Sequence, residues 1–253
     1  MGVNPKLLRR SSLFADLPAS DVNAVAEMAV MRWFNRGEYL YRQGAIAESF
    51  YVVFDGAVKI SRVTSAGKAM ISDFRGPGNV VGSRTIVADQ VHADDACAVE
   101  DVLVAMIPLA PASALLASRP GAAISLARHL ASRLEAREAK VAALSTQRVH
   151  QRLGDGLIEL TEILGAAVDD VIVINARLTQ AEIAEWIGTT RETTSTLLGG
   201  LRRAGFIDIE GRRIHVRDLQ AIKTYAAAEE LPADLKDLLP PPHDETRVLA
   251  RTA

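Results

Sequence analysis

The spacing of apolar residues predicts a short N-terminal helix followed by a region of short strands. Ser20 precedes four apolar residues at helical spacing, which predicts a helix capped by Ser20 with inward positions Val22, Val25, Ala26 and Ala29. Short β-branched and aromatic runs come next, between turn signals such as Asp55-Gly56. They predict strands at residues 38–41, 50–54, 57–63, 69–74, 96–99 and 102–107. This many short strands is typical of a sandwich or a small roll.

A long helix is predicted to begin at Pro120, in a segment rich in Ala, Leu, Arg and Glu. Alternating spacings of three and four residues place one heptad stripe on it, here called the dimer seam: Ala127, Leu130, Leu134, Arg137, Val141, Leu144 and Arg148. Such a stripe suits either packing on the chain's own core or a two-fold coiled coil with a second copy. Because the helix is longer than the preceding roll can cover and its opposite face is charged, we expect the coiled coil.

Residues 178–201 predict two short helices joined by a tight turn. Thr179 and Glu182 form a capping box for the first helix, and Gly188 suits a turn that needs positive φ. Thr189 or Thr190 caps the second helix, whose outward residues are Arg191, Glu192, Ser195, Thr196 and Gly199. A second helix that is polar near its start is what contact with the DNA major groove requires. The alternative is a helical hairpin with a solvated charged face.

The outward side chains of the second helix match the chemistry of base edges. Arg191 can donate two hydrogen bonds to guanine, Glu192 can accept from cytosine, and the hydroxyls of Ser195 and Thr196 can reach either base edge. Each good bidentate contact contributes about 1–3 kcal/mol of discrimination. These four residues are therefore the predicted base contacts.

A hairpin over residues 206–216 predicts a wing after the two helices. Its tip carries two cations, which can meet phosphate without adding sequence information. The predicted phosphate contacts are Thr179, Thr190, Arg202, Arg203, Arg212 and Arg213. Residues 177–217 hold seven Arg and five acids, whereas residues 218–253 hold four basic and seven acidic residues. The predicted DNA-binding region is thus locally positive although the whole chain carries a net charge of −2.

Composition excludes several other classes of protein. A chain of 253 residues with 49% hydrophobic and 24% charged positions is ordinary for a globular protein of two domains. The apolar run 102–118 contains Pro108 and Pro111, which favours a strand end and a loop over a membrane span. No signal peptide is evident, and a single cysteine, Cys97, permits neither an internal disulfide nor an iron–sulfur cluster. We expect a cytoplasmic protein that does not bind a membrane, with Cys97 as a small core residue.

The chain resembles bacterial transcription regulators of the cyclic AMP receptor protein and fumarate–nitrate reduction regulator (Crp/Fnr) superfamily. The resemblance spans residues 13–217, and its most specific part is Arg191-Glu192-Thr193 followed by Leu197-Leu198. In the roll it rests on Leu13-Phe14, Gly37, Gln43-Gly44, residues 50–53 and 56–60, Gly67-Lys68, Gly78 and Gly82. It implies an α+β fold: a cyclic-nucleotide-binding-type antiparallel β-roll, a long dimerisation helix and a winged helix-turn-helix. It also implies a homodimer that binds palindromic double-stranded DNA and contacts RNA polymerase.

The sequence departs from the superfamily members that bind cyclic AMP. Ser83 follows Gly82 where those members have a glutamate for the ribose, and His92-Ala93 stands near the position of their phosphate-binding Arg-Ser pair. Acidic Asp94 and Asp95 follow, so we expect this pocket to repel a phosphate. Arg137 and Glu138 align with the small hydroxyl residues that contact adenine. The usual pose of cyclic AMP is therefore not expected.

A pocket for another effector stays open as a prediction, with Gly82, Ser83, Arg84, His92, Arg137 and Glu138 as its candidate residues. Arg84 and Arg137 suit a different anion, such as a cyclic dinucleotide, unless they pair with local carboxylates. His92 is the candidate axial ligand for haem in the sensor region, but we expect a loop histidine exposed to solvent. No cofactor and no metal site is expected, because His129 and His150 have no second ligand at metal spacing.

These observations predict four regions. They are a sensor domain at residues 1–118, a dimerisation helix at 119–150, a winged helix-turn-helix at 151–220 and an acidic, proline-containing tail at 221–253. The predicted function is a homodimeric, sequence-specific transcription regulator that needs no cyclic AMP. The alternatives are a regulator that responds to cyclic AMP or cyclic di-GMP, and a non-DNA allosteric subunit of an enzyme or channel. No catalytic motif is present in the sequence, so we expect no enzyme activity.

Overall fold

The structure, a computed structural model, describes residues 3–64, 67, 69–87 and 91–231. It confirms the α+β class, with a β-roll, a long helix and a winged helical domain in chain order. The predicted tail beyond residue 231 lies outside the described residues. Among the described residues, no helix combines the length and apolar character that crossing a membrane requires.

Two antiparallel sheets form the roll, with strand orders β1-β8-β3-β6 and β2-β7-β4-β5. The strands are β1 (Val30–Phe34), β2 (Tyr39–Tyr41), β3 (Ser49–Asp55), β4 (Val58–Val63), β5 (Ala69–Arg75), β6 (Val80–Val81), β7 (Asp95–Ala98) and β8 (Val102–Pro108). Every predicted strand is present. The sequence did not predict β1, which precedes the first predicted strand, or β6, which has only two residues. Cys97 is buried in β7, as expected.

Gly56 allows the turn between β3 and β4 to pack closely against the backbone at the start of β8. Its φ is +81°, and a Cβ at this position would lie 2.1 Å from the carbonyl oxygen of Asp101. Only glycine fits both the backbone angle and the space. The turn predicted at Asp55-Gly56 is therefore confirmed.

Three helices pack on the roll: α1 (Pro5–Leu8), α2 (Ala19–Met28) and α3 (Leu109–Ser118). The prediction of a loop at α3 is wrong, because Pro111 lies in the first turn of that helix, where a missing N–H costs no hydrogen bond. The capping role predicted for Ser20 is also wrong. Helix α2 begins at Ala19 with Pro18 at the cap, and the Ser20 hydroxyl donates to Asp21.

The long helix α4 (Pro120–Thr146) ends before the residue predicted to finish its stripe. Arg148 instead stands at the N-cap position of the next helix, α5 (Val149–Leu164), where its backbone N–H donates to Gln151, so it does not belong to the dimer seam on α4. Helix α5 runs through Gly154, where a Cβ would lie 2.7 Å from the Cβ of Ala226. Glycine at this position lets α5 and a C-terminal helix pack closely.

The second domain surrounds a core that includes buried Trp186 and Tyr225. After α5 its elements are β9 (Gly165–Val168), β10 (Val171–Ile174), α6 (Gln180–Ile187), α7 (Arg191–Arg203), β11 (Ile207–Glu210), β12 (Arg213–Val216) and α8 (Leu219–Ala227). The predicted hairpin is confirmed as β11–β12, and it joins a sheet of order β11-β12-β10-β9. The domain boundary predicted at residue 220 falls inside α8, which packs on α5.

Candidate DNA-binding face and effector cavity

The two helices of the predicted helix-turn-helix are α6 and α7, and both begin as the sequence predicts. The Thr179 hydroxyl accepts a hydrogen bond from the backbone N–H of Glu182 at 3.1 Å, and the Glu182 carboxylate accepts from the backbone N–H of Thr179 at 2.9 Å. Gly188 ends α6 with φ +69°. The Thr190 hydroxyl then caps α7 by accepting from the backbone N–H of Thr193 at 3.2 Å. These local bonds fix the start of the recognition helix, α7.

Helix α7 separates an inner apolar face from an outer polar one. Thr194, Leu197, Leu198 and Leu201 are buried, whereas Arg191, Glu192 and Ser195 are exposed. Thr196 is half-buried. Three of the four predicted base contacts therefore lie on an open surface, and the fourth lies at its edge.

A recess of about 470 Å³ brings several of the predicted DNA contacts together. It is lined by Thr179 at the start of α6, by Arg191 on α7 and by Arg212 at the tip of the wing. Arg212 has φ +71° within the β11–β12 turn, which directs the chain sharply back at this point. The recess thus joins one predicted base contact to two predicted phosphate contacts.

Arg213, the other wing cation, lies against the roll instead. Its guanidinium is 3.8 Å from the carboxylate of Glu100, between β7 and β8. The Arg177 guanidinium is also 3.8 Å from Glu100, whose carboxylate accepts the Arg177 backbone N–H at 2.7 Å. Arg213 therefore contributes to the contact between the two domains. Arg202 and Arg203 are exposed near the end of α7.

The two domains also meet through a second ion pair and an aromatic contact. Lys59 on β4 lies 2.7 Å from Glu182 of the α6 capping box. Burial alone would raise the pKa of Glu182, but hydrogen bonds from Lys59 and Thr179 hold that pKa below its usual value. Phe74 on β5 packs edge-on against Trp186 of α6, with ring centroids 5.1 Å apart. The position of the recognition helix is therefore tied to the roll.

The dimer seam forms an apolar stripe that the roll of the same chain leaves mostly uncovered. Leu134 is 57% exposed and Val141 is 63% exposed, whereas Leu130 is half-buried. Ala127 and Arg137 are exposed as well. Leu144 lies against the helix-turn-helix, since a Cβ on Gly188 would come within 2.6 Å of its Cδ2. The stripe therefore ends at the turn that precedes the recognition helix.

A cavity of about 320 Å³ lies between the roll and α4. Of the predicted effector residues, five line it: Gly82, Ser83, Arg84, His92 and Arg137. Glu138 is exposed on α4 and is not among its lining residues. The sequence did not indicate Arg62, Arg75 and Arg133, which line the cavity from β4, β5 and α4.

His92 is buried, so the prediction of a solvent-exposed loop histidine is wrong. His92 is 4% exposed, and its ring stacks on Tyr41, with centroids 3.6 Å apart and planes 6° from parallel. The Tyr41 hydroxyl in turn donates to Asp94 at 3.1 Å. Sequence spacing could not reveal this burial, because Tyr41 comes from a distant strand.

The charges around the cavity differ from those expected from Asp94 and Asp95. Five arginines line it, at positions 62, 75, 84, 133 and 137, whereas Asp94 is the one carboxylate among the lining residues. Asp95 accepts the backbone N–H of Gln43 at 2.7 Å and is not among the lining residues. The lining of the cavity therefore holds more cations than carboxylates, although Asp94 and Asp95 suggested an acidic site, and repulsion of phosphate stays a prediction.

Acidification is expected to destabilise the sensor region through His92 and His129. His129 on α4 is hydrogen-bonded through its two ring nitrogens to the hydroxyls of Ser12 and Ser83, each at 3.2 Å. Burial lowers the pKa of both histidines, for His92 against an opposing effect of Asp94. In the unfolded chain a histidine takes up its proton near pH 6.5, so a fall below that pH favours unfolding.

When the pH is lowered from 7.5 to 5.5, we expect the thermal midpoint to decrease by a few degrees, which corresponds to a loss of about 1 kcal/mol of stability. The thermal midpoint of His129→Gln should fall less over the same pH range, because this variant has one titrating group fewer. Thermal unfolding followed by circular dichroism measures both. Equal falls in the two proteins would contradict a role for His129.

Taken together, the fold and the exposed face of α7 define a helix-turn-helix DNA-binding protein with a cyclic-nucleotide-binding-type roll. The family described as "Cyclic nucleotide-binding domain" matches residues 31–119, and the "Crp-like helix-turn-helix domain" matches residues 151–225. The chain belongs to the Crp/Fnr family of bacterial transcription regulators and is a DNA-binding regulator, not an enzyme.

Relatives with curated names agree with this assignment. The chain is 32% identical over 186 residues to the "Global nitrogen regulator" of Synechococcus elongatus. The aligned region covers 72% of this chain and 83% of the relative. It is 25% identical over 217 residues to the "CRP-like cAMP-activated global transcriptional regulator" of Mycobacterium tuberculosis, covering 86% of this chain and 97% of the relative. The structure of FixK2 from Bradyrhizobium japonicum is similar with a TM-score of 0.70 and 25% identity, over 80% of this chain and 99% of that one.

Proposed function

We propose that this regulator is a cytoplasmic homodimer that binds a palindromic DNA site without needing cyclic AMP. The observation that carries the DNA part is the recess that joins Thr179, Arg191 and Arg212 beside the exposed outer face of α7. A second copy, related by two-fold symmetry through the dimer seam, would present the same face to the next half-site, about 34–36 Å away. The exposed apolar stripe on α4 supports such a pairing.

Base contacts are proposed for Arg191, Glu192, Ser195 and Thr196, and phosphate contacts for Thr179, Thr190, Arg202, Arg203 and Arg212. Arg213 is assigned to the domain contact because it lies beside Glu100. Contact with RNA polymerase is a further proposal that rests on family membership.

Independence from cyclic AMP is supported by the residues of the cavity. Ser83 and His92 stand where cyclic-AMP-binding members need a glutamate and the Arg-Ser pair. Burial lowers the pKa of the His92 ring, so it is a weaker partner for a phosphate than the guanidinium of an arginine. A second candidate, regulation by a different anionic ligand such as a cyclic dinucleotide, is favoured by the five arginines of the cavity.

The adjacent wing arginines provide a matched test of the DNA face. Arg212→Ala is expected to weaken binding to all sequences alike and to reduce the slope of log affinity against log salt by about one unit per half-site. Arg213→Ala removes the same charge but should leave the slope unchanged, because Arg213 lies against the roll. Fluorescence anisotropy over a salt series measures both slopes. The reverse result would mean that Arg213 is the phosphate contact.

A further inference from the structure

One carboxylate, that of Asp73, joins the roll to the long helix beneath the cavity. Asp73 on β5 is 9% exposed, and its Oδ2 atom accepts from two guanidiniums. One belongs to Arg75 on the same strand, which is 7% exposed. The other belongs to Arg133 on α4, at 2.9 Å. Since Arg75 and Arg133 both line the cavity, Asp73 neutralises part of its positive charge from within the protein.

The other lining arginines have different partners. The Arg62 Nε atom donates to the backbone carbonyl of Ala93 at 2.9 Å, and Arg137 is half-exposed with Asp94 at 4.0 Å. Arg75 and Arg133 differ from Arg62 and Arg137 in that they share one buried carboxylate between two elements of the fold. A shared buried charge of this kind fixes the distance between those elements more firmly than a pair at the surface.

We propose that Asp73 is a built-in counter-anion, which holds Arg75 and Arg133 in the arrangement that an anionic effector would otherwise impose. Asp73 is on this account a positioning residue for DNA binding, acting through the two arginines. The inference rests on the proposed function, because it explains how the long helix is held on the roll when no effector is bound. It also predicts that the cavity gains an anion site once the carboxylate is lost.

The path from Asp73 to the DNA-binding domain is short. Lys140 lies two turns beyond Arg133 on α4, and its Nζ atom is 4.2 Å from the centroid of the Trp186 ring on α6. Trp186 also contacts Phe74, the strand neighbour of Asp73. A shift of α4 against the roll therefore acts directly on the first helix of the helix-turn-helix.

Asp73 is buried, and nearby cations stabilise its negative charge. Desolvation raises the pKa of Asp73, and Arg133, Arg137 and Lys140 oppose that rise. Removing the carboxylate leaves two largely desolvated guanidiniums without their anion, a state that favours uptake of one from solution. Inorganic pyrophosphate is a suitable probe, because it carries several negative charges and is smaller than the cavity.

The first experiment measures anion uptake by the full chain. Asp73→Asn keeps the shape of the side chain and removes its charge, and Asp95→Asn is the matched control, because Asp95 lies on the same roll but does not line the cavity. In thermal unfolding at constant ionic strength, a few millimolar pyrophosphate should raise the midpoint of Asp73→Asn by several degrees. It should change the midpoints of the wild type and of Asp95→Asn by less than one degree. Equal shifts in all three proteins would overturn the proposal.

The second experiment measures DNA binding without added anion. Asp73→Asn should weaken binding to the preferred duplex at least tenfold, whereas Asp95→Asn should stay within twofold of the wild type. Undiminished binding by Asp73→Asn would overturn the proposal. If the wild type binds no DNA, the proposed function fails instead, and the pyrophosphate shift still tests the anion site.

A second variant keeps the test valid if Asp73→Asn does not fold. Arg133→Gln removes the partner on α4 and leaves the Asp73–Arg75 pair in place. It should weaken DNA binding at least tenfold, without any stabilisation by pyrophosphate. Binding within twofold of the wild type would overturn the coupling through Asp73.

Discussion

Replacing Glu192 by alanine is expected to abolish preference at one base pair of each half-site. The Glu192 carboxylate is exposed on the outer face of α7, one residue after the helix begins, where it can accept from a cytosine amino group. The wild type should prefer its own base pair by about 1–3 kcal/mol per half-site, or about 5-fold to 150-fold. The variant should bind the original and the substituted duplex within about twofold of each other.

The comparison needs a glutamate of similar exposure that does not face DNA. Glu185 is exposed on α6, outside the recognition helix, so Glu185→Ala should keep the full preference. Fluorescence anisotropy with duplexes changed symmetrically in both half-sites measures both variants. Retained preference in Glu192→Ala would show that another side chain makes this contact.

Placing a charge in the dimer seam should have a comparably large effect. The change Leu134→Asp puts a carboxylate where the stripe of one copy is expected to meet that of the next. We expect monomers and a loss of DNA affinity of at least about 100-fold, because each molecule then holds a single half-site. The isolated subunit should stay folded, since Leu134 is 57% exposed within the single chain.

Ser132→Asp is the control, because Ser132 is exposed on the opposite side of α4 from Leu134. It introduces the same charge and should leave the dimer intact. Sedimentation velocity gives the mass of each variant, circular dichroism its fold, and anisotropy its affinity. A Leu134→Asp protein that remains dimeric would place the interface elsewhere.

The helix-turn-helix could be predicted from the sequence because its signals are local. A capping box, a glycine at the turn and a threonine cap each act within four residues, and the structure has all three. The strands of the roll were predictable for the same reason, since their turns and β-branched runs are short-range patterns. The heptad spacing likewise identified α4, although not its end at Thr146.

The elements that the sequence did not reveal depend on contacts between distant segments. Helix α8 is held by close packing on α5 at Gly154, and its one local signal is the cap at Asp218, whose carboxylate accepts from the backbone N–H of Ala221. Helix α3 contains Pro111, which disfavours a helix in most positions but is accepted in its first turn. The positive lining of the cavity could not be predicted, because Arg62, Arg75 and Arg133 come from three separate elements.

The sequence also could not show that the two arginines of the wing have different roles. From the sequence alone, the adjacent cations Arg212 and Arg213 are equally suited to contact phosphate. The structure distinguishes them, because Glu100, in the turn between β7 and β8, lies beside Arg213. Function in this region therefore depends on how the two domains are packed, a property that only the folded chain displays.

The most direct test of the account is fluorescence anisotropy of the purified full chain on duplexes selected from a random pool. It is performed at fixed salt, first without nucleotide and then with cyclic AMP, cyclic GMP and cyclic di-GMP. We predict binding to a palindromic site with a Kd of about 10 nM or tighter, unchanged by any of the three nucleotides. Binding that appears only when one nucleotide is present would contradict the account and identify the cavity as a site for that ligand.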